Sequence, residues 1–580
     1  MEKLKKVWTV IQDYVIASAL VMVGLFFVLQ LWNSNLATYP LQYGMGDDMT
    51  AAMTIKTMQE NGWIYKNSLL GAPNPEGTNS FDATTGEILL NVIQKVIVTL
   101  TNNWVLTLNL FYLLGYFLCA YTALFVLKKL GISKMTSIVG AVLYSFLPYH
   151  FFRGLGHLYL SEYFMVPVMV YYAIRLMNQE TIWKKSNGKI VTWNNIGHTV
   201  AFICMSLTGV YYAYFVCFFL CVSILYKLLN RVNWKKCRQE IAGILIICVS
   251  LISSVLPSVL YWHEYGSNPS AIERSPVGAE LYSMKIAQLV LPISGHRIEK
   301  IAELRGAFDQ YPLSNENTTV SLGLVMTIGF LVLLVSICIL HRVKSEDLIQ
   351  KLVVLNFAAL LIGTIGSFSS IIGYLFSMIR CYNRICVFIA MFSIITVCIL
   401  LDKIGDKLSK YEIGNMIGVI GILLVLMIGI WDQTSTAFVP NYEKIQTEFE
   451  NDRAFVQQIE QINPNGMIFQ MPYVVYPEQG QVNNMIDYSH LRGYLHSSSL
   501  KWSYCAVKGR ETDEWQKQIA NLPMEEQISE LEEYGFTGVY IDAFAYTTEE
   551  LEHLQNELNK QLGDADIVSS DGRLIFYSIN

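Results

Sequence analysis

The chain has 580 residues, 53% of them hydrophobic and only 15% charged, with 41 Lys and Arg against 47 Asp and Glu and a formal charge of -6. Soluble domains carry about 25% charged residues, so this composition excludes an ordinary water-soluble enzyme, and the dispersed, weakly acidic charge argues against a nucleic-acid partner. Cys119, Cys204, Cys217, Cys221, Cys248, Cys338 and Cys398 lie inside apolar runs, and no CxxC pair or zinc spacing occurs, so neither a disulfide framework nor a metal cluster is indicated.

Apolar runs near 14–33, 104–127, 135–152, 158–177, 196–210, 212–229, 241–260, 320–340, 352–372, 385–401 and 412–431 each approach the ~20 residues that cross a bilayer. They predict a polytopic α-helical membrane protein of about eleven spans. The first run lacks a small-residue cleavage site and is read as a permanent anchor. Lys and Arg cluster in alternate connections, at Lys3/Lys5/Lys6, Lys128/Lys129/Lys134, Lys184/Lys185/Lys189, Arg231/Lys235/Lys236/Arg238, Arg342/Lys344/Lys351 and Lys403/Lys407/Lys410. The positive-inside rule then expects a cytoplasmic N-terminus in the plasma membrane, with residues 34–103, 261–319 and the C-terminal segment outside.

The first outer loop, 34–103, carries Tyr43-Gly-Met-Gly-Asp-Asp48 directly ahead of a predicted helix from Met49 to Gln59. Gly44 and Gly46 permit a sharp bend, and Asp47 and Asp48 would stand at a helix N-terminus, where negative charge is favoured. An acidic pair at the bilayer rim is a plausible place for a catalytic base, with Asp47 first and Asp48 assisting; helix capping is the structural alternative. Residues 71–80 read as irregular, Asp82 and Glu87 as a helix start with a subordinate supporting role, and 87–100 as a helix along the membrane surface.

A second constellation, Pro148-Tyr-His-Phe-Phe-Arg-Gly-Leu-Gly-His157, is followed by Ser161 and Glu162. Ionisable groups at that depth normally face a wet cavity and a partner. His150, Arg153 and His157 therefore become candidate phosphate ligands, with headgroup anchoring as the alternative, and Glu162 a candidate partner of Arg153. Thr208 to Tyr212 reads as a tight hairpin between spans. Arg380 and Arg384 at a later span mouth, and Arg297 with His296 in the loop 261–319, place further cations on the same side; guanidinium forks suit phosphate oxygens.

Residues 1–435 thus form the predicted membrane part. The polar segment 436–580 is expected to be an extracytoplasmic α/β domain, with amphipathic helices at 442–462 and 547–562, strands at 467–471, 538–541 and 574–577, and a hairpin turn at Ser570-Asp-Gly572. His490, Arg492 and His496 in it read as polar side chains facing solvent.

The acidic pair in a long first outer loop, the surface helices after it, the Thr208–Tyr212 hairpin and the trailing soluble domain together resemble the class C (GT-C) glycosyltransferase fold. Pro148–His157, Tyr488-Ser-His-Leu-Arg-Gly-Tyr-Leu-His496 and Asp571-Gly-Arg-Leu-Ile-Phe-Tyr577 resemble a bacterial group of uncharacterised members, some labelled sugar or phosphoglycerol transferases. The resemblance implies a transferase acting at the outer face, with a polyprenyl-phosphate-linked sugar as donor and a surface glycan or other hydroxyl as acceptor. Its acidic loop residue falls on Asp47. The family's acidic motif is often Asp-Glu or Asp-x-Asp, so Gly-Asp-Asp leaves a divalent metal open. Phosphoglycerol transfer and a lipid-linked-sugar flippase are the alternatives: the first would call for a cluster of metal ligands in the C-terminal segment, the second for paired repeats and midplane charges.

Overall fold

The computed structural model describes residues 2–82, 86–186, 188–189, 191–270, 274–339 and 347–579. Among these, seven helices are long and apolar enough to cross a membrane: Ile11–Val28, Trp104–Lys129, Lys134–Arg153, Val210–Leu229, Trp234–Ser254, Tyr382–Leu408 and Gly414–Gln433. Other expected spans are realised as shorter helices, Val166–Met177, Trp193–Ser206, Gly323–Ile337 and Leu348–Gly363, of 12, 14, 15 and 16 residues. Of the about eleven expected spans, seven are therefore helices of crossing length. Arg342 and Lys344 lie outside the described residues.

Local chemistry explains the interruptions. The run 135–152 bends where Pro148 opens a new helix, Pro148–Arg153, since the residue before a proline avoids the helical region. Gly154, at φ +43°, ends that helix. The run 158–177 opens with a single helical turn, Leu158–Ser161, breaks, and resumes as a longer helix at Val166, where Pro167 occupies the first turn. Hydropathy registers the composition of 158–165 but not this break.

The first loop follows the helix Glu2–Val28. Its helix Asp47–Asn61 packs against Trp104–Lys129 and Ile88–Thr101. Strands β1 (Lys66–Asn67) and β2 (Thr78–Asn79) pair in antiparallel fashion, Lys66 with Asn79 and Asn67 with Thr78, so the stretch expected to be irregular ends in a short ladder. Phe81 then stacks between Tyr65 and Tyr261, with 4.9 Å between ring centres on both sides.

After the helix Tyr442–Ile462 comes a five-stranded sheet of β3 (Met467–Met471), β4 (Lys501–Trp502), β5 (Gly538–Asp542), β6 (Ile567–Val568) and β7 (Leu574–Ser578), in the order β4-β3-β5-β7-β6. β3 runs parallel to β4 and β5, with Ile468 facing Gly538 and Met471 facing Ile541, whereas β7 is antiparallel to β5 and β6. A buried pair, Arg573 Nη2 to Asp542 Oδ2 at 2.7 Å, fixes the end of β5.

This sheet unit is joined to the first loop rather than hanging free. Gly71 N–H donates to Tyr504 O at 2.8 Å, and Trp502 N–H to Leu69 O at 2.9 Å. Asp82 accepts from Arg510 Nε and Nη2, both at 2.8 Å, and from Trp262 Nε1 at 2.9 Å. Burial alone would raise the Asp82 acid, but these donors and Asn268 outweigh it and hold it below the ordinary carboxylate value. The loop 261–319 joins the same assembly through Asn268, which donates to Lys508 O. Three segments distant in sequence thus meet at one end of the helix bundle.

Candidate active site

Gly46, at φ +117°, precedes the helix Asp47–Asn61, and both aspartates occupy its first turn. Successive helical residues point about 100° apart, so they serve different surroundings. Asp47 leaves 49% of its side chain exposed and lines a cavity of about 440 Å³. Asp48 is buried; its Oδ1 accepts the Met45 N–H at 3.0 Å, which braces the bend ahead of the helix. Burial pushes the Asp48 acid up to about 7, against the opposing pull of the Met45 N–H and the Arg492 charge.

The cavity gathers Asp47, Phe152, Arg153, His157, Glu316, Gln481, Asp487 and Tyr488 around one space. His157 Nδ1 lies 3.0 Å from Asp47 Oδ2, and its Nε2 lies 3.9 Å from Glu316 Oε2. Arg153 Nη1 donates to Glu316 Oε2 at 2.7 Å, and Asn383 Nδ2 to Oε1 at 3.4 Å. Arg384 Nη2 stands 3.8 Å from Glu316, its guanidinium 4.0 Å from the centre of the Tyr211 ring. Burial works to raise the Glu316 acid, but Arg153 and Arg384 prevail and hold it far below the usual carboxylate range. Glu316 is therefore the ionised hub of the cationic residues.

Other residues chosen from the sequence lie elsewhere. His150 is fully buried, its ring stacked on Tyr116 with centres 3.6 Å apart and its Nδ1 3.1 Å from Ser145 O. It does not line the cavity. Arg380 covers the Tyr282 ring at 5.2 Å. Arg297 donates to Thr434 O at 2.5 Å and also to Trp431 O, capping the helix Gly414–Gln433. Glu162 is not the partner of Arg153, which is taken by Glu316; it is buried against Gly115. Asp82 pairs with Arg510, and Glu87 stands at the N-cap position of the helix Ile88–Thr101 without a side-chain capping bond. Burial pushes the Glu87 acid up to about 7, countered by backbone N–H groups and Arg384.

The surface reading of His490, Arg492 and His496 is corrected. His490 and Arg492 are buried. Arg492 Nη1 meets Asp452 Oδ2 at 2.6 Å, and Tyr43 OH donates to the same oxygen at 2.6 Å while standing 2.9 Å from His496 Nε2. Arg492, Asp452 and His496 thus join the sheet unit to Tyr43 of the acidic loop, while His490 stays within the sheet unit, its Nε2 2.9 Å from Pro472 O. The sequence signal of His490, Arg492 and His496 was the Tyr488–His496 segment, whose three basic residues fall on one short stretch. Glu316, Asp487 and Asp452 sit in polar stretches with no distinguishing local pattern.

A second cavity, of about 610 Å³, adjoins the first and shares Met45, Phe152 and Ile486 with it. Leu29, Leu41, Phe151 and Phe438 give it an apolar wall, and Lys444, Arg492 and Arg573 a cationic one. Among the described residues, no three His, Cys, Asp or Glu side chains converge as a metal-binding group.

Bundle, loops and sheet together define a multi-pass membrane protein with the GT-C glycosyltransferase fold. ArnT from Cupriavidus metallidurans, solved in the apo state, matches with a TM-score of 0.50 and 12% identity over 97% of this chain and 98% of its own. Mycobacterial arabinofuranosyltransferase AftD matches with a TM-score of 0.52 and 12% identity, over 98% of this chain but 41% of its own. The oligosaccharyltransferase AglB from Archaeoglobus fulgidus gives a TM-score of 0.47 and 13% identity over 99% of this chain and 74% of its own. By sequence, the chain belongs to the family described as a domain of unknown function (DUF6311), which it matches over residues 89–379. No curated protein matches it.

Proposed function

We propose that the chain is an integral-membrane glycosyltransferase that uses Asp47 as general base to move a sugar from a polyprenyl-phosphate-linked donor to a hydroxyl acceptor, a surface glycan being the favoured class. The observation that carries this reading is the half-exposed Asp47 carboxylate in a cavity, 3.0 Å from His157. The GT-C fold, similar to that of an arabinofuranosyltransferase, supports the reaction class.

In this mechanism the acceptor oxygen attacks the anomeric carbon of the donor, Asp47 takes the hydroxyl proton, and the bond from that carbon to the phosphate oxygen breaks. The polyprenyl phosphate leaves with the electron pair and the anomeric configuration inverts. One base and a stabilised leaving group suffice for such a displacement. His157 orients the Asp47 carboxylate. Arg153, with Arg384 behind it and His157 beside it, offers cationic charge to the departing phosphate, while Glu316 keeps both guanidiniums fixed in the absence of substrate. Arg384 does not line the cavity but stands 3.8 Å from Glu316, which does; His150 and Arg380 drop out of the phosphate set because they neither line the cavity nor pair with Glu316.

We place the cavity on the exoplasmic face. Lys128 and Lys134 pair with Asp13 at the ends of helices whose opposite ends lead to the acidic loop and to Arg153. Basic termini belong to the cytoplasmic side. On this reading the C-terminal sheet unit is extracytoplasmic and supplies Asp487 and Tyr488 as a wall of the acceptor site.

The test is release of polyprenyl phosphate by the purified protein in proteoliposomes, screened over polyprenyl-phosphate sugars. Turnover with one donor that vanishes in Asp47→Asn at equal protein recovery is expected; undiminished turnover in that variant refutes the base.

A further inference from the structure

The acidic loop is held by a residue from the far end of the chain. Arg492, in the short helix Leu491–His496, reaches the backbone of the loop at Gly44, which stands at φ +72°. A Cβ at Gly44 would lie 1.9 Å from Arg492 Nη2 and 2.9 Å from its Cζ, so the guanidinium occupies the place a side chain would need. Glycine tolerates both that conformation and that approach.

The guanidinium is itself fixed. Its carbon lies 4.7 Å from the centre of the Tyr43 ring, Nη1 bonds Asp452 at 2.6 Å, and Nη2 stands 3.5 Å from Glu448. Asp452 also accepts from Tyr43 OH at 2.6 Å, so one carboxylate ties both the wedge and the loop residue beside it. One residue past Gly44, the Met45 N–H is bonded by Asp48. Asp47 thus sits at the end of a backbone segment braced on one flank by Arg492 and on the other by Asp48.

We propose that Arg492 is a positioning residue: wedged on Gly44 and anchored by Asp452, its planar guanidinium sets the loop that aims Asp47 into the cavity. A lysine has neither the plane nor the fork to do the same. The functional half of the proposal rests on the reading of Asp47 as base; the structural half does not.

Two measurements on the full-length protein in detergent separate them. Amide hydrogen exchange over residues 43–48 should quicken about tenfold or more in Arg492→Lys, while strand Gly538–Asp542 and helix Trp104–Lys129 stay as in wild type. In the polyprenyl-phosphate release assay the same variant should lose about 10- to 100-fold in kcat with little change in donor KM, as misplacement of a base by about 1 Å would produce. Asp47→Asn should abolish turnover with loop exchange unaltered.

Loop exchange equal to wild type in Arg492→Lys overturns the proposal, whereas quickened exchange without any polyprenyl-phosphate turnover in the wild type overturns only the transferase reading. Should strand Gly538–Asp542 also exchange faster, showing a wider loss of structure, Asp452→Asn decides, since it keeps the arginine: quickened exchange confined to 43–48 supports the wedge, and unchanged exchange there refutes it.

Discussion

His157 Nδ1 stands 3.0 Å from Asp47 Oδ2. The contact joins the first loop to the turn that follows the Pro148–Arg153 helix, so two stretches chosen separately from the sequence meet in one cavity. The same ring nitrogen also meets the Gly156 carbonyl, so the imidazole stands between that oxygen and the carboxylate.

Asp47→Asn should lower turnover by about 100- to 10,000-fold, the range of a general base. Because 49% of the side chain is exposed, thermal stability should hardly change. Initial rates and a melting curve on the same preparation check both statements. His157→Ala should cost less than Asp47→Asn, with partial recovery in His157→Gln, which retains an amide N–H donor.

Asp48 links stability to pH. Its acid rises from 3.8 to about 7 on folding because of burial, so the native state holds a proton that the unfolded chain has released. That contribution is fully present below about pH 4 and fades as pH climbs through 7. Replacing Asp48 with Asn should therefore flatten the decline between pH 4 and 7, by an amount bounded at roughly 4 kcal/mol. Denaturation midpoints across that window are the measurement.

Glu316→Gln should destabilise the protein by up to about 3–5 kcal/mol, since it leaves the buried Arg153 without its counter-charge. The Glu316 acid is depressed on folding, chiefly by Arg153 and Arg384 acting against burial. Its stabilisation is therefore present above the ordinary value of 4.5 and is lost as pH falls below it. The gap between wild type and variant should only begin to narrow at pH 4 and should close in much stronger acid, because the folded acid lies far below 4.5; melts at pH 7, pH 4 and pH 2 would show this.

Asp82→Asn and Arg510→Ala should each lower stability by about 1.5–3 kcal/mol, the worth of charge-assisted bonds. The double variant should be little worse than either, because both remove the same clamp. A double-mutant cycle that comes out additive would show that the pair is not coupled.

Two helices and three strands of the C-terminal segment were plain in the sequence because their signals are local, whereas β4, β6 and the helices Leu491–His496, Glu511–Ile519 and Met524–Glu533 were not. The amphipathic period over 442–462 marks the helix Tyr442–Ile462, and β-rich runs at 467–471, 538–541 and 574–577 mark β3, β5 and β7. Span boundaries were less legible, because hydropathy does not register where Pro148 and Pro167 restart the backbone. In the site, Asp47, Arg153, His157 and Arg384 stood out as charges in unusual places. Glu316 did not: a lone acid in a polar loop looks solvated until folding brings Arg153 and Arg384 to it. Arg492 failed for the same reason, as its partners Asp452 and Tyr43 belong to other segments.

Tyr43 and Asp452 are separated by 409 positions, yet share a hydrogen bond of 2.6 Å. A ribosome delivers the first of them long before the second. During synthesis the acidic loop must wait, inserted beside its membrane helices but lacking its brace, until the last quarter of the polypeptide has been made and folded. A messenger broken or a ribosome stalled ahead of that point would yield a membrane-embedded product whose acidic loop stands without its brace.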